Sequence, residues 1–139
     1  MAQFENKIVA VVNENIEPGR AMMALSHAML GFGAGLTSRQ EVRLNRYVDA
    51  SNCSHEPISE MPIVVLKGSS NKIRELRKSA LSLGLKFADF CDTMSIGTYE
   101  EECELTKTKK DEELSYWAIV IFGPQAQVSE LTKKFSLYR

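Results

Sequence analysis

Residues 7–35 read KIVAVVNENIEPGRAMMALSHAMLGFGAG, and this passage decides the fold class. Lys7–Asn13 is a continuous, mostly β-branched run, the pattern of a strand buried on both faces. Glu14–Gly19 connects it to a helix, and Pro18 suits the first helical position, where a missing N–H costs nothing. Gly33–Gly35 can end that helix. Met22, Leu25, Met29, Phe32 and Leu36 recur at helical spacing and predict one apolar stripe. Arg20 and His27 are seven residues apart, close to two turns, so they point the same way. With Ala24 and Gly31 they fall roughly opposite the stripe, flanked by Met23 and Leu30. Two polar heads among small neighbours describe the floor of a cleft.

Strand and helix patterns continue to alternate outward from this unit. Ser38–Glu41 reads as a capping box opening a short polar helix. Tyr47–Ala50 suggests a short strand, and Ser51–Met61, with His55 and Pro57, a polar loop. Ile63–Lys67 is a second buried strand. Ser69 or Ser70 caps a helix with Ile73, Leu76, Ala80 and Leu83 as its buried stripe, and Gly84 stops it. Leu85–Phe90 is a third strand and Tyr116–Phe122 a fourth. Gly123–Pro124 reads as a turn, and Val128, Leu131 and Phe135 mark a closing helix. Between the last two strands, Thr98–Glu101 forms a capping box that opens an acidic segment, Tyr99–Glu113. Such alternation predicts an α/β three-layer sandwich, a mixed four- to five-stranded sheet flanked by helices, in one domain over residues 1–139.

Composition narrows the partners. No apolar run approaches the roughly 20 residues that span a bilayer, and the N-terminus carries no basic lead or small-residue cleavage site. No membrane association is expected. Three scattered cysteines, Cys53, Cys91 and Cys103, form no CxxC pair, so neither a disulfide framework nor a metal site is expected, and a reducing cytoplasm is the default. The net charge of −1 lacks the basic excess of a broad nucleic-acid-binding face. Lys72, Arg74, Arg77 and Lys78, with Lys133, Lys134 and Arg139, offer at most a weak anion-binding patch.

RAMMALSHAMLG, residues 20–31, resembles the first-helix signature of the type II peptidyl-tRNA hydrolases. Ser26-His27-Ala28 match a triplet of that signature, and Arg20 stands where the hydrolases carry a catalytic lysine. Asp89 and Thr93, in DFCDT, keep the spacing of an aspartate and a threonine that follow their third strand. WAIVIFGP is similar to their last strand and its Gly-Pro turn. The resemblance spans nearly the whole chain in order. It is closer still to a bacterial family of uncharacterised proteins with the hydrolase-II-like fold, to which the sequence is assigned. It departs from the hydrolases at Arg20, at Phe90-Cys91-Asp92, and at Gly97 and Thr98, which match later loop residues one position out of register. The largest departure is the inserted Tyr99–Glu113, whose seven acids and three lysines give it a net charge of −4.

The resemblance implies a cleft in which Arg20, His27, Asp89 and Thr93 meet, with Ser26, Gly97 and Thr98 contributing to substrate binding. Imidazole carries protons near neutral pH, a carboxylate orients it or a water, and a guanidinium stabilises an oxyanion. The structural alternative is a buried Arg–Asp pair with a satisfied histidine, holding helix to sheet. Arginine stays protonated and grips oxyanions as a fork, so it cannot act as a base. Cys91 is flanked by Asp89 and Asp92, which argues against a nucleophilic thiolate. His55 is expected to be solvated. The acidic segment reads as a solvated helix, as a lid over the cleft, or as a docking face, and in each case it repels a tRNA backbone.

Two functions follow as expectations. One is a hydrolase acting on a small acylated or anionic substrate, with peptidyl-tRNA less favoured. Arg20 would hold the anion, His27 and Asp89 would move protons, and Thr93 would position water. The other is a non-catalytic module that holds a small anion or a partner peptide in the same cleft. Neither calls for a cofactor. The hydrolases resembled are often dimers, which adds a homodimer to the expectations.

Overall fold

The structure is a computed structural model that describes residues 4–139. The expected lack of a leader falls partly on residues 1–3, outside the described residues. Strand β1 (Asn6–Asn13) is followed by helix α1 (Pro18–Ala34), strand β2 (Leu44–Val48), strand β3 (Ser54–Ser59), strand β4 (Ile63–Gly68) and helix α2 (Ser70–Ser82). Strand β5 (Lys86–Cys91), helix α3 (Tyr99–Lys107), strand β6 (Tyr116–Pro124), helix α4 (Gln125–Thr132) and strand β7 (Ser136–Leu137) complete the chain. A five-stranded sheet runs β5-β6-β1-β4-β7. Among the described residues only β1 and β4 pair in parallel; β6 lies antiparallel to both β1 and β5, and β7 antiparallel to β4.

The two apolar runs occupy the centre because only there are both faces covered. One face of β1 and β6, with Val9, Val11, Ile119 and Ile121, packs under α2 and α4. The other, with Ile8, Ala10, Val12, Ala118 and Val120, packs under α1. The sheet is therefore mixed and flanked by helices, as expected.

Helix α1 sits differently from its predicted stripe. Its buried residues are Ala21, Ala24, Ala28 and Phe32, with Leu25 and Met29 partly covered. Met22 is 64% exposed, while Ala24, expected beside Arg20 and His27, is fully buried. Facing strands present small residues too, Ala10, Ala88 and Ala118, so the helix settles on its alanines and approaches the sheet closely. Arg20 and His27 do share a face, and it is the shoulder of the helix beside the sheet.

Three further expectations are corrected. Residues 44–59 form a hairpin, β2 paired antiparallel with β3, where a short strand and a loop were expected. It is almost wholly exposed, and among the described residues no other element packs extensively against it. Its polar faces give no alternating signal, and side-chain pairs such as Arg46–Glu56 and His55–Asp49 stabilise it locally. His55 is thus exposed but paired. Leu83 leaves the α2 stripe for the helix end, where Gly84 takes φ +70°, a conformation glycine adopts without strain. The closing helix stops at Thr132, and Ser136–Leu137 instead add the edge strand β7.

The capping box at Ser38 supports a second tie. Glu41 accepts hydrogen bonds from the Thr37 hydroxyl at 2.7 Å and the Thr37 amide at 3.0 Å, and from Lys86 at the start of β5. Lys86 first, then Thr37, lowers its carboxyl from 4.5 to about 2. A depressed carboxyl stabilises the fold above its ordinary value and loses that contribution as the pH falls through its folded value. Glu41→Gln is expected to lower Tm at pH 7 and to flatten the loss of Tm between pH 4.5 and 2. Parallel pH profiles of wild type and variant in thermal melts would contradict this.

Candidate functional site

The shoulder of α1 faces the end of β5 and the start of β6. Opposite that point the strands fall out of step: Phe90 pairs with Ala118 but Cys91 with Tyr116, leaving Trp117 as an extra residue. A bulge of this kind reverses the strand's parity. Trp117 therefore joins Ala118 on the α1 side, while Tyr116 packs toward α2. The Arg20 guanidinium lies 5.9 Å from the Trp117 ring centroid, Trp117 lies 5.9 Å from Phe90, and Phe90 lies 5.4 Å from the His27 ring. Arg20, Trp117, Phe90 and His27 thus form one continuous line. Arg20 pairs with no carboxylate, and His27 makes no side-chain hydrogen bond, among the described residues.

Asp89 does not join them. Along β5, Phe90 faces α1 while Cys91 and Phe87 face α2, and Asp89 follows the latter set by the two-residue period. Its Oδ1 accepts from Arg77 Nε at 2.9 Å, and the Arg77 guanidinium lies over Phe87. Burial opposes the Arg77 cation, but the hydrogen bond and charge of Asp89, with the charges of Tyr116 and Asp111, together raise its pKa. The expected His27–Asp89 couple is thus corrected to an Arg77–Asp89 pair on the α2 face of the sheet, away from His27, the structural alternative with a different arginine. The Cys91 thiol lies 3.7 Å from Asp89 Oδ2, and burial, then that carboxylate, pushes its pKa up.

Thr93 is also engaged elsewhere. It is buried in a 3-10 turn, Asp92–Met94, with its hydroxyl 2.8 Å from Thr106 Oγ1. The Thr106 hydroxyl in turn donates to Glu102 O at 2.7 Å. The pair fastens α3 to the end of β5, leaving Thr93 no open side toward the cleft. Gly97 and Thr98 build the start of the same helix. The amides of Ile96 and Gly97 donate to Glu102 Oε2 at 3.1 and 3.3 Å, and Thr98 N donates to Glu101 Oε1 at 2.9 Å. Glu101 N returns a bond to Thr98 Oγ1 at 3.2 Å, completing the expected capping box. Ser26 Oγ donates to Met22 O at 2.7 Å within its own helix.

The insertion supplies a wall. Between α1 and α3 lies a cavity of about 640 Å³, floored by Phe90 and Met94 and faced by His27 on one side and by Tyr99, Glu102, Cys103, Thr106 and Lys107 on the other. No residue of α3 is buried, and Tyr99 is 76% exposed. The far end of the insertion is clamped by Arg74, which is buried and donates to the carbonyls of Asp111 and Leu114 at 3.2 and 2.6 Å. Arg74 and Arg77, expected in a basic patch, thus hold structure together. Tyr99, Cys103 and Thr106 escaped notice because the acids between them dominate the segment. Their spacing of four and three residues was the available signal for one helix face. Trp117 could not be placed, because the bulge has no mark in the sequence. Among the described residues no cluster of three or more metal-ligating side chains occurs, and no helix is long and apolar enough to cross a membrane.

Cys91 and Cys53 make a direct test of this geometry. Cys53 is exposed and Cys91 buried. With a thiol-reactive disulfide reagent, Cys53 is expected to react at once and Cys91 only in denaturant. Prompt labelling of Cys91 in the folded protein, read by peptide mass, would contradict its placement.

Residues 6–139 match the family model described as a protein of unknown function, DUF2000. A solved structure of a protein of unknown function from Agrobacterium tumefaciens strain C58 is similar in fold. It is 17% identical with a TM-score of 0.84, over 99% of this chain and 100% of that one. No curated protein matches the chain. With nearly its whole length matched by the family model, the chain belongs to the DUF2000 family.

Proposed function

We propose that this chain is a binding module on a type II peptidyl-tRNA hydrolase-like frame, and that the cavity between α1 and α3 takes a small organic anion with an aromatic or acyl body. The observation that carries the reading is an apolar, aromatic cavity with the Arg20 guanidinium one ring beyond its lining, over Trp117, which neighbours the cavity's Phe90; Arg20 has no carboxylate partner among the described residues. Phe90, Met94 and Tyr99 supply the apolar lining, as in most small-molecule sites. Arg20, on the same shoulder as His27, supplies the fork for a carboxylate or phosphate.

The acidic helix does not forbid a small anion. Glu101 and Glu102 are turned onto the amides before α3, and Glu104 pairs with Lys107 at 3.5 Å. A long polyanion would meet the summed charge of −4 on residues 99–113 instead. Catalysis by the expected set lacks support, since Asp89 and Thr93 are bonded away from His27. One observation favours the hydrolase as the second reading: His27 borders the cavity with no hydrogen-bonded partner among the described residues, leaving its ring nitrogens open to substrate.

Anilinonaphthalene sulfonate, an aromatic anion, tests the first reading. Its emission is expected to rise on binding and to be excited through Trp117, the single tryptophan, which touches the cavity's Phe90. Decanoate should displace it. Arg20→Met should weaken binding about tenfold, the loss of one charge-assisted hydrogen bond of ~1.5 kcal/mol. Binding that is absent, or indifferent to Arg20→Met, would overturn the reading. An N-blocked aminoacyl-tRNA tests the second. No cleavage above buffer is expected, whereas cleavage abolished by His27→Ala would establish a hydrolase in place of the module.

A further inference from the structure

A second cavity lies on the opposite side of the sheet from Arg20 and His27, between α2 and α4. It arises because these two helices differ in length: α2 has thirteen residues and α4 only eight. After Thr132 the chain leaves the helical path and runs to the sheet edge as β7. The first half of α2 is thereby left with open space beside it, a groove of about 630 Å³ between residues 71–79 and 130–135. That volume is in the range of small-molecule sites.

The floor of the groove is apolar. Leu76 is buried, and Leu131 and Phe135 pack against the core beneath α2. Gly68, at the end of β4, makes room for the aromatic ring: a Cβ there would come within 2.8 Å of Phe135. Any other residue would displace the ring from the sheet.

The rim has a single chemical character. Its two carboxylates are already paired, Glu75 with Lys78 at 3.5 Å and Glu130 with Lys133 at 2.6 Å. Asn71 Oδ1 accepts from the Arg74 guanidinium, and its amide N–H groups have no partner among the described residues. Lys72 and Lys134, two members of the basic patch expected from the sequence, pair with no carboxylate among the described residues. Lys72 Nζ lies 5.9 Å from the Phe135 ring centroid, so a cation stands where the rim meets the apolar floor. The groove therefore offers donors and two uncompensated positive charges, and every acceptor charge on it is taken.

We infer that this groove binds a phosphate monoester with an apolar tail, its head held by Lys72 and Lys134 and its tail laid on Leu76, Leu131 and Phe135. Charge selects the head group. A phosphate monoester carries roughly −1.5 to −2 at pH 7, which balances two ammonium groups, whereas a carboxylate leaves one uncompensated. Lysine suits a phosphate as a compact point charge and needs no planar fork. The apolar floor selects against a bare inorganic ion, because burying the tail supplies the affinity that exposed lysines alone do not. With the whole sheet between them, this site and the α1–α3 cavity are separate.

Octyl phosphate titrated into the nitrogen-15-labelled full chain should shift the backbone amides of residues 71–79 and 130–135. It should bind at least about tenfold more tightly than ethyl phosphate, since burial of two methylenes suffices for that ratio. Lys72→Met and Lys134→Met should each weaken binding about three- to fivefold, the upper span for an exposed charge pair. Both side chains are exposed, so the dispersed spectrum of the folded protein should be kept. Four results overturn the inference. One is no shift of these amides at about 5 mM, several times a Kd of about 1 mM. Another is equal affinity for ethyl phosphate, and a third is unchanged affinity in the double lysine variant. The last is a set of shifts confined to His27, Phe90 and residues 99–107, which would place the ligand in the α1–α3 cavity instead.

Discussion

The antiparallel pairing of β1 with β6 is the constraint on which the rest of the molecule depends. Both strands are buried along almost their whole length, so every residue on them is assigned to one layer or the other. β5 inherits that assignment from β6 through its own pairing. Whether a group on β5 faces α1 or α2 then follows from counting, and chemistry cannot change it. Asp89 and Phe90 are neighbours in sequence and lie on opposite sides of the sheet.

The layer under α2 uses its polar groups for cohesion. Arg77 neutralises Asp89, and Arg74 gathers the carbonyls at the end of the insertion while its guanidinium stacks over Tyr116. Tyr116 donates to the Asp111 carboxylate, and burial, then that bond, raises its pKa. Buried charges of this kind are costly unless paired and hydrogen-bonded, and among the described residues no buried side-chain nitrogen or oxygen lacks a partner. The α1 layer keeps Arg20 and His27 at its edge, unpaired among the described residues. One sheet thus separates a satisfied polar network from an open one.

The legible part of the fold was carried by burial. The four long strands, α1, α2, the Ser38 and Thr98 caps and the Gly84 stop all follow from residue patterns with a single physical reading. Legibility failed where packing selects small residues over large ones, as on α1, where alanines outcompete Met22 for the sheet. It failed again in the hairpin, whose stability lies in side-chain pairs that leave no hydrophobic alternation. At the site, the shared direction of Arg20 and His27 was readable from helix geometry. The company they keep was not. Phe90 and Trp117 reach them through a register shift, and Asp89 and Thr93 match a motif in sequence while facing other partners in space.

The Trp117 bulge bears on how this architecture is inherited. A bulge adds one to the residue count of a strand, so it changes odd to even for everything beyond it. Straightening the bulge with Trp117 kept would send the indole to the α2 layer and Tyr116 to the α1 layer although every amino acid was unchanged. Parity along β6, more than residue identity, is therefore what a descendant must preserve to keep an aromatic beside the α1 arginine. A fold can drift far in sequence under such a rule, and its members are better compared by which layer each side chain enters than by which letters align.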